Sequence, residues 1–183
     1  MKKLQYVLFV MMLAPLFVVS NGCGGDEVVI PPDTTDTIPK DTAGAGFQVG
    51  FDKYLLVLDN NQTDAHYRAA DGKTLIYIVG RSEKGAQGVV EGKGEVELVL
   101  PGNVVGTWAQ SNMDDITIEL ATGEPPTRTE YSYDANSNMK ITITEYGEVG
   151  GKISGTFSGL LKTGINSRDV KDGFFSVTRT ANQ

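Results

Sequence analysis

The chain has 183 residues, among them 16 Lys or Arg, 23 Asp or Glu, one Cys and one His, for a formal net charge of −7. Such a surface repels phosphates and anionic headgroups, which argues against nucleic acid or a basic membrane-binding patch. One cysteine, Cys23, excludes an internal disulfide framework, and one histidine, His66, excludes the usual zinc site of several Cys and His ligands.

Lys2 and Lys3 open the chain, an apolar run extends from Val7 to Val19, and Ser20, Asn21 and Gly22 lead into Cys23. Charge, apolar core and small-residue exit are the parts of a bacterial secretory signal. The run is shorter than the roughly 20 residues a spanning helix needs. This leader resembles bacterial lipoprotein signals, in which the cysteine becomes the lipid-modified first residue of the mature protein. Gly22 fits the small residue before it, whereas Ser20 stands where most such signals carry Leu. The resemblance implies loss of residues 1–22 and anchoring through acyl chains (palmitate or similar) on Cys23, each buried methylene contributing about 0.8 kcal/mol. The alternative is cleavage after Ser20, leaving a free thiol. Loss of the leader removes two basic and no acidic residues, so the remaining 161 carry a formal charge of −9. That length suits one domain burying about 68–70% of its unfolded surface. Gly24-Gly25-Asp26-Glu27 resembles the small-plus-acidic segment that sends surface lipoproteins of Bacteroidota to the outer face of the outer membrane; a periplasmic or secreted location is the alternative.

From Val28 to Gly46 the chain is rich in Pro, Thr and Asp and too poor in apolar residues to fold, which predicts an extended tether. Asp33-Thr34-Thr35, Asp36-Thr37-Ile38 and Asp41-Thr42-Ala43 look like the O-glycosylation acceptor of secreted Bacteroidota proteins, making Thr34, Thr37 and Thr42 candidate glycan sites. The competing account is that linkers simply use these residues.

Residues 47–183 read as a single all-β domain. Phe47, Val49 and Phe51 alternate, Tyr54 to Leu58 is a continuous apolar run suited to a strand covered on both faces, and Thr74 to Val79 follows the Asp71-Gly72 turn. Val96, Leu98 and Leu100 alternate with Glu95 and Glu97, giving one buried and one wetted face. Val104 to Trp108, Ile116 to Leu120 and Arg128 to Tyr133 continue the series. Asp134 to Asn138 is expected to join Tyr131-Ser132-Tyr133 to Lys140–Tyr146 as a hairpin. Ile153, Phe157 and Leu161 share a face with glycines between them, a sign of a sharply coiled strand or a close neighbour. A last strand, Gly173 to Thr178, follows an expected turn at Lys171-Asp172-Gly173. About nine strands without crossover helices predict an antiparallel sandwich or barrel.

Gly106-Thr107-Trp108, Ile141-Thr142-Ile143-Thr144, Gly155-Thr156-Phe157-Ser158-Gly159 and Asp172-Gly173-Phe174-Phe175-Ser176-Val177, in that order, resemble the C-terminal pattern of all-β lipoproteins from Bacteroidota. That resemblance implies fold and address and brings no catalytic residues. Gly106-Thr107-Trp108 also matches the lipocalin Gly-x-Trp, but that motif belongs to a first strand and here it sits mid-domain.

Asp134, Asn136, Asn138 and Glu145 occupy positions 1, 3, 5 and 12 of a calcium-loop template, but Met139 replaces its glycine and Glu145 falls in a predicted strand. A turn is the simpler reading of Asp-Ala-Asn-Ser-Asn. Glu95, Glu97, Glu119 and Glu130 are the acids from which a glycosidase pair could be drawn, although alternation makes the first three wetted strand positions. His66 lies in an expected polar loop without a visible partner. Trp108, Tyr131 and Tyr133, with Tyr146, are the aromatics to which a sugar or peptide could dock; packing in the core competes with that role. The sequence thus predicts a lipid-anchored, non-enzymatic envelope protein without cofactor. It would act as a binding or accessory module for a carbohydrate or protein ligand, with a secreted hydrolase or a purely structural component as alternatives.

Overall fold

The computed structural model describes residues 44–84, 88–134 and 137–183; Cys23, Thr34, Thr37, Thr42 and Asn136 lie outside the described residues. Eleven strands follow one another: β1 (Gly44–Val49), β2 (Asp52–Leu58), β3 (Asp64–Arg68), β4 (Lys73–Ser82), β5 (Gly92–Pro101), β6 (Gly106–Ala109), β7 (Asp115–Thr122), β8 (Thr127–Ser132), β9 (Lys140–Tyr146), β10 (Lys152–Thr163) and β11 (Asn166–Thr178), with a 3-10 turn at Gln110–Asn112. Eight of them, β1, β2, β4, β5, β7, β8, β10 and β11, form an antiparallel ring in that order. β11 closes it by pairing with β1, Gly44 opposite Ser176 and Val49 opposite Val170. Of the two expected architectures the chain therefore adopts the barrel. β3 is added beside β4, β9 beside β10, and β6 beside β9.

Alternation builds the wall. Val96, Leu98 and Leu100 of β5 and Ile116, Ile118 and Leu120 of β7 are buried, while Glu95, Glu97 and Glu119 between them face outward. An eight-stranded barrel is just wide enough for side chains to fill, and aromatic rings run through this one. Tyr54 stacks on Phe47 at 5.5 Å, Phe47 meets Phe157 at 6.0 Å, and Phe157 meets Phe175 at 6.4 Å. Glycine makes room for them: a Cβ on Gly173 would lie 2.6 Å from the Phe157 ring, and one on Gly155 would lie 2.8 Å from the Phe175 ring and collide with the Thr142 carbonyl oxygen. The close neighbours expected from the glycines of β10 are Thr142 and Phe175 at Gly155, and the Asn138–Met139 backbone at Gly159.

Further contacts tie the strand ends together at each rim. At the rim where Gly44 enters, Tyr146 of β9 reaches β4, its hydroxyl 2.8 Å from that of Thr74, which itself donates to the Gly102 carbonyl at 2.6 Å. Arg179 lies 4.9 Å over the Tyr146 ring and donates to the Gly147 carbonyl at 2.7 Å. Residues 180–183 then run along β3, with the Thr180 N–H on Ala65 O at 2.7 Å and the Gln183 N–H on Tyr67 O at 3.0 Å. At the far rim residues 88–90 lie beside β2, the Val90 N–H donating to Lys53 O at 2.9 Å and Val89 buried.

Several expectations change. Phe51 does not continue its alternation; Gly50, at φ +62°, turns the chain and leaves Phe51 98% exposed. The run from Tyr54 to Leu58 is covered on one face only, because a barrel wall is a single layer, and Val57 is 69% exposed. The segment around His66 is strand β3 rather than a loop. Lys171-Asp172-Gly173 is a bulge inside β11, with Asp172 at φ 51°, and the turn lies at Gly164 and Ile165. Lastly, β8 and β9 are not a hairpin. Both pair antiparallel with β10, Ser132 opposite Lys162 and Lys140 opposite Ser158, so they are successive pieces of one position in the wall.

Candidate functional site

Residues 133–139 are an insert between those two pieces, and its described residues fasten it to β10. The Asp134 carboxylate takes the Lys162 ammonium and, at 3.3 Å, the Ser137 hydroxyl. Asn138 Oδ1 accepts the Leu160 N–H at 2.8 Å, satisfying backbone beside the bulge at Gly159. Glu145 stands on β9 and accepts from the Ser154 hydroxyl at 2.9 Å. Two residues of the calcium template, Asp134 and Asn138, thus clamp a seam, while Glu145 belongs to a strand.

Among the aromatics, Trp108 belongs to the core cluster, 9% exposed, with its ring over Gly106. Tyr131 and Tyr133 are half-buried and pack against the same core. Burial pushes the Tyr54 hydroxyl up to about 12, with Asp52 and Tyr131 adding to it, and burial also raises Tyr131. The unfolded chain loses the Tyr54 proton first, near 10, so this contribution to stability is complete below that pH and disappears as the pH rises toward 12. Tyr54→Phe is expected to move the alkaline unfolding midpoint upward; an unchanged midpoint, followed by circular dichroism, would count against it.

His66 is 3% exposed, and its Nδ1 lies 2.7 Å from Asp64 Oδ2. The Thr180 hydroxyl donates to the other Asp64 oxygen. Nucleophilic catalysis needs the hydroxyl on the base; here it sits on the carboxylate, and the trio ties the C-terminal segment to β3. Asp64 and His66 share a strand face at a spacing of two, a signal visible in sequence only once the segment is read as a strand.

The four glutamates lie on the outer wall. Glu95 faces Glu119 and Glu119 faces Glu130, placing three carboxylates in one row across β5, β7 and β8. Directly opposed like charges destabilise a sheet, and cations offset part of this: Lys93 binds Glu95 at 2.8 Å and Arg128 binds Glu119. The Lys93 bond lowers the Glu95 pKa, helped by the Tyr77 hydroxyl, which that same bond to Glu95 and burial push up to about 12. A glycosidase acid needs its pKa raised, the opposite of what this environment does to Glu95.

Beside the row, an open depression of about 1010 Å³ lies between the β4–β5 connection and the β7–β8 turn, where Arg81, Lys84, Lys93 and Arg128 alternate with Glu83, Glu91 and Glu124. β8 has an unusual edge. Its residues from Thr127 to Ser132 all pair with β7, but on the other side only Ser132 has a partner in β10. Row, depression and edge are all outside a packed interior, which defines the class: an eight-stranded up-and-down barrel with its carboxylate row, depression and β8 edge on the outer surface. No protein-family model, curated protein or solved structure matches the chain.

Proposed function

We propose that this protein is a lipid-anchored envelope lipoprotein of the all-β Bacteroidota kind, held at the outer membrane and facing outward, and that it acts as a binding or accessory module for a carbohydrate or protein ligand. One observation carries the reading. The chain enters the barrel at Gly44 on one rim, whereas Phe51 and Ile165, 98% and 99% exposed, stand on turns at the opposite rim. A barrel tethered at its first rim offers the second to its surroundings, and fully exposed large apolar side chains there are suited to contact with a partner. The packed core cluster leaves recognition to the outer surface, and the Lys93 bond that lowers the Glu95 pKa runs against Glu95 itself as a glycosidase acid.

Fatty-acid labelling and surface proteolysis of intact cells test the anchor. Wild type is expected to take up label and to be cut from outside, and Cys23→Ala to lose the label; label retained on the variant overturns the proposal.

A further inference from the structure

Among the described residues the outer edge of β8 from Thr127 to Tyr131 has no strand partner, and this edge is self-complementary. Arg128 and Glu130 flank Thr129 and point outward, while Tyr131 packs on the core. Two copies of this strand placed antiparallel about Thr129 put Arg128 of each opposite Glu130 of the other, the favourable arrangement for directly facing strand residues. The acidic row points to the same register. Three carboxylates, Glu95, Glu119 and Glu130, share two cations, Lys93 and Arg128, and Glu130 at the end of the row has no side-chain partner among the described residues. The next strand position beyond Glu130, where a balancing cation belongs, is the unpaired edge itself.

We propose that this edge binds a second copy of the chain, forming a two-fold dimer in which β8 pairs with β8 and each Arg128 meets the other copy's Glu130. Such an interface is isologous and closes on itself, so it uses up both edges and ends at two copies. Its strand overlap is short, which places it with weak, concentration-dependent contacts. The inference does not depend on the lipid anchor, and either can fail without the other.

Sedimentation equilibrium of the full chain in non-ionic detergent, over a wide concentration series, tests it. Wild type is expected to show a monomer–dimer equilibrium. Arg128→Glu and Glu130→Arg each place like charges opposite one another twice in the dimer and are expected to weaken it at least about tenfold, equivalent to about 1.4 kcal/mol. The double variant Arg128→Glu/Glu130→Arg recreates the complementary pair and is expected to dimerise like wild type, although it lacks the native Arg128 to Glu119 bond. Thermal unfolding separates lost association from lost folding. If a charge variant fails to fold, Thr129→Cys in a Cys23→Ala background replaces it, with an expected disulfide between copies across the axis. A wild type that stays monomeric, a dimer indifferent to the single exchanges, a folded double variant that does not recover, or absence of the cross-link overturns the proposal.

Discussion

Phe157→Ala is expected to cost about 3–5 kcal/mol, the range for removing a buried aromatic whose surroundings relax only in part. Phe157 is an inner member of the ring series, touching Phe47 on one side and Phe175 on the other, so its loss leaves Phe175 without a ring neighbour and Phe47 with Tyr54 alone. Gly173 lies against its ring, and no side chain there can move in to fill the space. For a domain of this size the thermal midpoint is expected to fall by about 10–20 °C. A midpoint within a few degrees of wild type would mean that the ring series does not carry the core.

Gly155→Ala is the second large effect. Here the obstacle is backbone: the new methyl group would collide with the Thr142 carbonyl oxygen on β9 as well as with the Phe175 ring. Overpacking of this kind costs about 1–3 kcal/mol, more where the opposing atom cannot rotate away. Trimming Phe175 to Leu in the same background is not expected to rescue it, since the carbonyl stays in place. Ser158→Ala, on an outward position of the same strand, is expected to change stability by no more than about 0.5 kcal/mol. Thermal unfolding checks the ranking, and faster amide exchange at Ile143, paired with Gly155, would locate the damage.

The wall of the barrel was legible because period-two alternation reports which residues face a core. Val96-Leu98-Leu100 and Ile116-Ile118-Leu120 needed nothing more, and the glycines of β10 announced their close neighbours. Pairing was not legible. β8 and β9 follow each other at hairpin distance, and only the register of each against β10 shows that they lie in line. β3 was hidden because Asp64, His66 and Arg68 are polar; only Ala65 joins the core cluster, and the C-terminal segment runs along the strand's edge, a contact no local pattern encodes. The calcium template failed to foresee the clamp for a similar reason, since the partners of Asp134 and Asn138, Lys162 and Leu160, are distant in sequence. The carboxylate row is likewise a product of register: alternation turned Glu95 and Glu119 outward, but only strand order set them and Glu130 side by side.

The closure of β1 onto β11 sets a timetable for biogenesis. Gly44 is synthesised 132 residues (176 − 44) before its partner Ser176, so the first strand of the barrel waits for the last of its eight before its second edge is paired. Pairings this distant close late and slowly, and the waiting edge is a hazard for association with other chains. A ribosome-bound chain that stops short of β11 therefore holds an open sheet rather than a barrel. The same event that protects the edge also locks the domain.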